Sequence, residues 1–202
     1  MLENLDLTIL YFFNHDLTNP VLDWLFLIIS ESRIFQAIVF LIFTILIWKG
    51  PIRLRLALIL IVICVAIVDP STHYILKNLF ARLRPCHNLD NIRLLVGCGG
   101  QYGFPSNHTV NIFALATILT LFYRRYLAVF ASVALLMGLS RIYLGKHYPS
   151  DVLAGAIFGL AAAIIFIYIA GYLLKRLPIT QRWSKFMPDI QGALIWNKTR
   201  LK

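Results

Sequence analysis

Three polar clusters interrupt the chain, and each carries residue types suited to binding an anion. The first runs from Lys77 through Arg82 and Arg84 to Pro85. Lys77 and Arg84 are seven residues apart, two helical turns, so both can project from one face of a helix end. The last cluster, Ser140 to Asp151, adds Arg141 as a third cation. Arginine offers a planar donor fork and lysine a point charge, which together suit phosphate. Between them, Pro105-Ser106-Asn107-His108 precedes an apolar run. Ser106 or Asn107 is therefore a natural N-cap, with free backbone N–H groups and a positive dipole end beside it. Phosphate binds readily at such a position.

The same clusters hold a candidate nucleophile and acid. His147 and Asp151 are four residues apart, so a helical turn places them on one face. Asp151 can then accept a hydrogen bond from Nδ1–H of His147, leaving Nε2 to attack phosphorus. His108 is the candidate acid for the departing oxygen. Lys77, Arg84, Ser106, Asn107 and Arg141 would stabilise charge on the equatorial oxygens, so this chemistry calls for no metal and no cofactor. Any one of these side chains alone reads equally well as an interface anchor or snorkelling cation. Their common placement at helix ends is what points to a site.

The elements that position the clusters are apolar helices. The 202 residues are 59% hydrophobic and 14% charged, with a mean hydropathy of +0.76, far more apolar than an average soluble domain. The net charge of +10 does not mark a nucleic-acid protein, because the basic residues gather at the ends of apolar segments. The expected fold is an all-α polytopic membrane bundle in a single domain, residues 1–202. Residues 1–32 form interfacial N-terminal helices, with Leu5 to Phe13 too short to cross about 30 Å of hydrocarbon and Val21 to Ser30 half-buried. Residues 33–176 form a five-span core, and 177–202 a basic cytoplasmic tail. The spans run from Ile34 to Trp48, Leu54 past Asp69-Pro70 to Lys77, His108 to Tyr123, Tyr126 to Leu144, and Val152 to Leu174. Pro70 should kink the second. Gly155 and Gly159 give the last a close-packing face.

Charge sets the orientation. The turns after the first and third spans, together with the tail, carry twelve of the 19 basic residues, and the opposite side carries eight of the nine acidic ones. The first side is therefore cytoplasmic, which puts all three polar clusters on the extracytoplasmic side of a cell membrane. There Cys86 and Cys98 are either a disulfide or two thiols, and Cys64 lies mid-membrane as a thiol. Asp69 and His73 read as a structural hydrogen bond beside Pro70, with a relay or metal pair as the alternative. Tyr143, Tyr148 and Trp183 read as interfacial belt residues. Arg82, Arg93 and Lys146 either contact substrate or face headgroups.

The clusters resemble the motifs Lys-x6-Arg-Pro, Pro-Ser-Gly-His and Ser-Arg-x5-His-x3-Asp of the type 2 phosphatidic acid phosphatase superfamily, in its membrane lipid phosphatase branch. The one departure is Asn107 where that pattern has glycine. The resemblance implies that Lys77, Arg84, Ser106 and Arg141 bind phosphate. It also implies that His108 is the acid, His147 forms a phosphohistidine and Asp151 is its partner. The implied substrate is a membrane lipid phosphate: undecaprenyl diphosphate, lipid A 1-phosphate, phosphatidylglycerol phosphate or phosphatidic acid. No obligate protein partner is implied beyond the lipid bilayer. A non-catalytic lipid-phosphate binder or transporter would need the cations but not both histidines and Asp151. A vanadate-binding, haloperoxidase-like relative would need a large soluble helical body instead.

Overall fold

The computed structural model describes residues 2–176 and 185–188, and it is all-helical. Most of the tail assigned to 177–202, including Trp183, lies outside the described residues. Helix α1 (Leu2–Tyr11) continues as a π-turn over Phe12–Asp16. Helix α2 (Pro20–Glu31) starts with proline in its first turn, and the Asn19 side chain accepts from Leu22 N–H at 3.0 Å, a side-chain cap that closes an otherwise free donor. Ser32 ends α2 and caps α3 (Arg33–Lys49) by accepting from Phe35 N–H at 3.2 Å. The two helices meet at 51°. Val21 to Ser30 is half-buried and forms one arm of this bent pair.

Helix α4 (Ile52–Pro70) does not stop at its proline. The chain passes through a π-turn at Ser71–Leu76 into the short α5 (Lys77–Phe80). Pro70 has no N–H, and beside it Ser71 Oγ donates to Ile67 O at 2.7 Å and Thr72 Oγ1 to Val68 O at 2.8 Å. Asp69 instead accepts from Asn107 Nδ2 at 3.0 Å and Asn111 Nδ2 at 2.6 Å, tying α4 to the next long helix.

After the short α6 (Pro85–Asn88) and a loop come α7 (Asn107–Phe122), α8 (Leu127–Tyr143) and α9 (Pro149–Arg176). Helix α7 sits centrally against α4, α8 and α9. Its contact with α9 is close because of the two glycines. A Cβ on Gly159 would stand 2.3 Å from Val110 O, and one on Gly155 2.9 Å from Ser106 O. The core between α4, α7 and α9 holds Leu58, Ile61, Cys64, Ala114, Ile118, Phe122 and Ile167. Outward, Ile38, Phe40, Val133, Leu135, Ile157 and Ile165 are exposed, as hydrocarbon-facing positions are.

By length and composition, two described helices can cross a membrane, Arg124–Tyr143 and Pro149–Arg176, and the bent α2/α3 pair makes a third. Helix α7 has only 16 residues. Helix α4 carries Arg53, Arg55 and Asp69 within its 19 residues.

Candidate active site

The loop after α5 and the turn between α8 and α9 meet at one end of the bundle. Ala81 leaves α5 in the left-handed region, φ 45°. The loop then folds back on itself: Leu83 and Tyr102 form an antiparallel bridge, Gly103 N–H donates to Arg82 O at 2.8 Å, and Arg84 N–H donates to Gln101 O at 3.2 Å. Cys86 and Cys98 are bonded, with Cα atoms 6.1 Å apart, closing the same loop. Gly103 lies tight against the site: a Cβ there would stand 3.0 Å from Asp151 Oδ2 and 3.2 Å from Arg84 Cγ, so both side chains would have to give way.

This folding brings Lys77, Arg84, Arg141 and His147 together. Lys77 is buried and its Nζ donates to Tyr102 O at 2.9 Å. Arg84 Nη1 contacts His147 Nε2 at 3.1 Å. A guanidinium can only donate, so Nε2 carries the lone pair and the imidazole proton resides on Nδ1. Nδ1 faces Asp151 Oδ2 at 3.4 Å, a contact too long for a strong hydrogen bond, and Nδ1 has no other partner. His147 is buried, and burial, followed by the charges of Arg84, Arg141 and Lys77, holds its pKa well below the ordinary imidazole range. It is neutral at neutral pH, which a nitrogen nucleophile requires.

Ser106 is fully buried at the N-cap of α7, but its hydroxyl does not cap the helix. It accepts from Thr109 Oγ1 at 3.0 Å, which leaves its own proton available to an anion. Asn107 corrects the sequence reading. Its side chain turns toward α4, donating to Asp69 Oδ1 and to Asp69 O at 3.2 Å, so only its backbone N–H, at the free end of α7, remains for phosphate. His108, in the first turn of α7, has an exposed ring within electrostatic reach of Arg141, Glu31, Lys146 and Arg84. Arg84 Nε and Arg141 Nε are buried donors with no acceptor among the described residues, so they have capacity for an anion.

Residues outside the three clusters complete the site. Glu31, at the bend between α2 and α3, accepts from Arg141 Nη1 and from Lys146 Nζ, each at 2.7 Å. Arg141 also donates a short bond to Ser30 Oγ. Burial lowers the Lys146 pKa, and its hydrogen bond to Glu31 opposes that shift. Lys146 and Arg82 are therefore neither free headgroup cations nor belt residues. Arg82 bridges Asp6 of α1 and Asp151, 2.7 Å from each, and Arg93 pairs with Asp23. Tyr143 and Tyr148 are buried rather than interfacial: Tyr143 donates to Asp23 Oδ1 at 2.5 Å, and Tyr148 lies under the Arg82 guanidinium at 4.2 Å. The available signal for Asp6, Asp23 and Glu31 was an acidic side chain inside or beside an apolar run, which is costly without a partner.

Known proteins similar to this chain show its family. The PAP2 superfamily model matches residues 54–175. A lipid A 4'-phosphatase of Bacteroides thetaiotaomicron is 33% identical over 187 residues, covering 87% of this chain and 81% of that protein. A lipid A 4'-phosphatase of Porphyromonas gingivalis is 34% identical over 174 residues, covering 82% of this chain and 70% of that protein. The crystal structure of Aquifex aeolicus LpxE superposes with a TM-score of 0.64 at 28% identity, covering 81% of this chain and 95% of that one. The matched segment contains the three polar clusters, and the chain belongs to the PAP2 superfamily as a lipid phosphatase.

Proposed function

We propose that the protein hydrolyses a phosphate monoester or diphosphate on a membrane lipid through a phosphohistidine at His147. The observation that carries this reading is the His147 ring itself, with its Nε2 lone pair turned to Arg84 at 3.1 Å and its Nδ1 turned to Asp151 at 3.4 Å. Phosphate oxygens entering among Lys77, Arg84, Arg141, the Ser106 hydroxyl and the N–H groups of α7 would take over the Arg84 contact and leave Nε2 facing phosphorus. Nε2 then forms a bond to phosphorus as the bond to the lipid oxygen breaks, and His108 protonates that oxygen. The new positive charge on the imidazole draws Asp151 closer. In the second half, His108 takes a proton from water, whose oxygen attacks phosphorus and releases inorganic phosphate and neutral His147. The cations supply the charge stabilisation that a metal supplies in other phosphatases, so turnover should persist with a chelator present.

Among substrates we favour a lipid A phosphate. The two relatives quoted above are named for that lipid, and the alignments cover more than four fifths of this chain. Undecaprenyl diphosphate, phosphatidylglycerol phosphate and phosphatidic acid are the competing lipids. We further place α3, α4, α7, α8 and α9 as five crossings of the cell membrane, with the site on the extracytoplasmic face, as the distribution of basic residues favours.

Phosphate release from these four lipids by detergent-purified protein in excess chelator tests the reading. Release should be fastest with lipid A phosphate, and His147→Ala should reduce it to background while leaving the helical circular dichroism intact. Undiminished release by that variant would refute the nucleophile assignment.

A further inference from the structure

Behind the nucleophile lies a chain of charged groups that begins outside the matched family segment. Asp6 belongs to α1, whereas the family match starts at residue 54. Asp6 is buried, with 6% of its surface exposed. Its Oδ1 accepts from the backbone N–H of Ser150 at 2.8 Å, so it caps α9 from another helix. Its Oδ2 accepts from Arg82 Nη2 at 2.7 Å and from Ser150 Oγ. Arg82 Nη1 in turn donates to Asp151 Oδ1 at 2.7 Å and to Ser150 Oγ at 2.6 Å. The guanidinium plane rests on Tyr148 at 4.2 Å, and the Tyr148 backbone N–H donates to Asp151 Oδ2 at 3.0 Å. Asp151 is fully buried. Lys77 also acts on it electrostatically, alongside Arg82 and Asp6.

We infer that Asp6 and Arg82 are positioning residues for the reaction. They hold the Asp151 carboxylate in the one rotation that presents Oδ2 to Nδ1 of His147. A carboxylate turns freely about its last bond unless both oxygens are engaged. Here Arg82 fixes Oδ1 and the Tyr148 N–H fixes Oδ2. Arg82 could rotate as well, and Asp6 holds it by its second nitrogen while Tyr148 supports its face. Asp6 thus sets the His147 nitrogen that attacks through two intervening side chains, Arg82 and Asp151, and α1 becomes part of the catalytic apparatus. None of these groups touches phosphate. Their effect falls on the transition state, where the imidazolium forms, and not on phosphate binding by Lys77, Arg84 and Arg141.

The inference rests on His147 being the nucleophile, and the experiment separates the two claims. Asp6→Asn, Arg82→Gln, Arg82→Lys and His147→Ala are compared in detergent on one lipid phosphate, with inorganic phosphate as competitive inhibitor. Asp6→Asn and Arg82→Gln should lower kcat roughly 10- to 100-fold, the scale of a small misplacement of a reacting group. KM and the phosphate inhibition constant should stay within about twofold in both, because the phosphate ligands are untouched. The acid limb of kcat against pH should move to higher pH in Arg82→Gln, since Asp151 loses its nearest cation. Arg82→Lys should recover only part of the loss, because an ammonium cannot serve both carboxylates as a fork does. Asp6→Asn keeps the shape and guards against misfolding in the Arg82 variants. Wild-type kcat in Asp6→Asn and Arg82→Gln, with His147→Ala inactive, overturns the positioning role alone. A parallel rise in KM and in the phosphate constant also overturns it, by showing general loosening. Turnover by His147→Ala overturns both claims.

Discussion

At the scale of single residues, the candidate site withholds charge from one histidine. His147 sits among Arg84, Arg141 and Lys77 and is buried, and both effects keep a proton off it. A group whose folded-state pKa is depressed binds fewer protons than in the unfolded chain. Its contribution to stability is therefore unaffected above the unfolded value of 6.5 and turns unfavourable as pH falls below that value. Thermal unfolding in phosphate-free buffer should show this. The melting temperature should fall more steeply for the wild type than for His147→Gln between about pH 7 and pH 5, and equal slopes would show that His147 is not held neutral. Glu31 gives a second prediction. Arg141 is 2% exposed and shares Glu31 with Lys146. Glu31→Ala strands a buried cation and should destabilise the fold by about 2 kcal/mol, discounting the 3–5 kcal/mol of a fully buried pair because the Glu31 side chain is 28% exposed. A melting temperature unchanged by Glu31→Ala would contradict that role.

At the scale of elements, helix packing transmits position to the site. Helices α7 and α9 carry His108 and Asp151 at their first turns, and Ser106 N–H donates to Asp151 O at 3.1 Å where the two helices begin. The glycines of α9 permit that approach. At Gly159 an added methyl meets backbone at 2.3 Å, whereas at Gly97 nothing lies within 4 Å. Gly159→Ala should destabilise the protein by about 1–3 kcal/mol as the helices separate and should lower kcat, while Gly97→Ala should leave both unchanged. Comparable melting curves for the two variants would count against close packing as the device that sets the site. The bent α2/α3 pair and α1 were legible as apolar segments, but their use was not. Leu10, Asn14, Phe26 and Ser30 are buried because these helices cover the site end of α8 and α9.

At the scale of the whole molecule, an apolar exterior surrounds a charged end, and the proposed topology puts that end outside the cytoplasm. Asp90 is exposed in the loop that carries Cys86 and Cys98, and Lys49 ends α3 at the other end of the chain's crossings. Among the native cysteines, Cys64 is buried and Cys86 and Cys98 are bonded. On intact cells an impermeant maleimide should therefore label Asp90→Cys and spare Lys49→Cys, and the reverse pattern would invert the topology. The sequence by itself determined the properties that depend on near neighbours: the seven-residue spacing of Lys77 and Arg84, the four-residue spacing of His147 and Asp151, and the glycine pair of α9. Helical geometry puts the glycine pair on one face of α9, but the two polar pairs meet without a shared helix: α5 ends at Phe80, Ala81 is left-handed, Arg84 lies in the loop beyond it, and His147 precedes α9, which begins at Pro149. Only the tertiary structure decided which carboxylates answer the cations. Asp6 meets Ser150 across 144 positions, and Glu31 meets Arg141 across 110. Those pairings follow from how helices pack, as does the turning of Asn107 to Asp69 and of Tyr143 to the interior. The identities of the proposed reacting groups were therefore local information, and the orientation of the Asp151 carboxylate beside them was not.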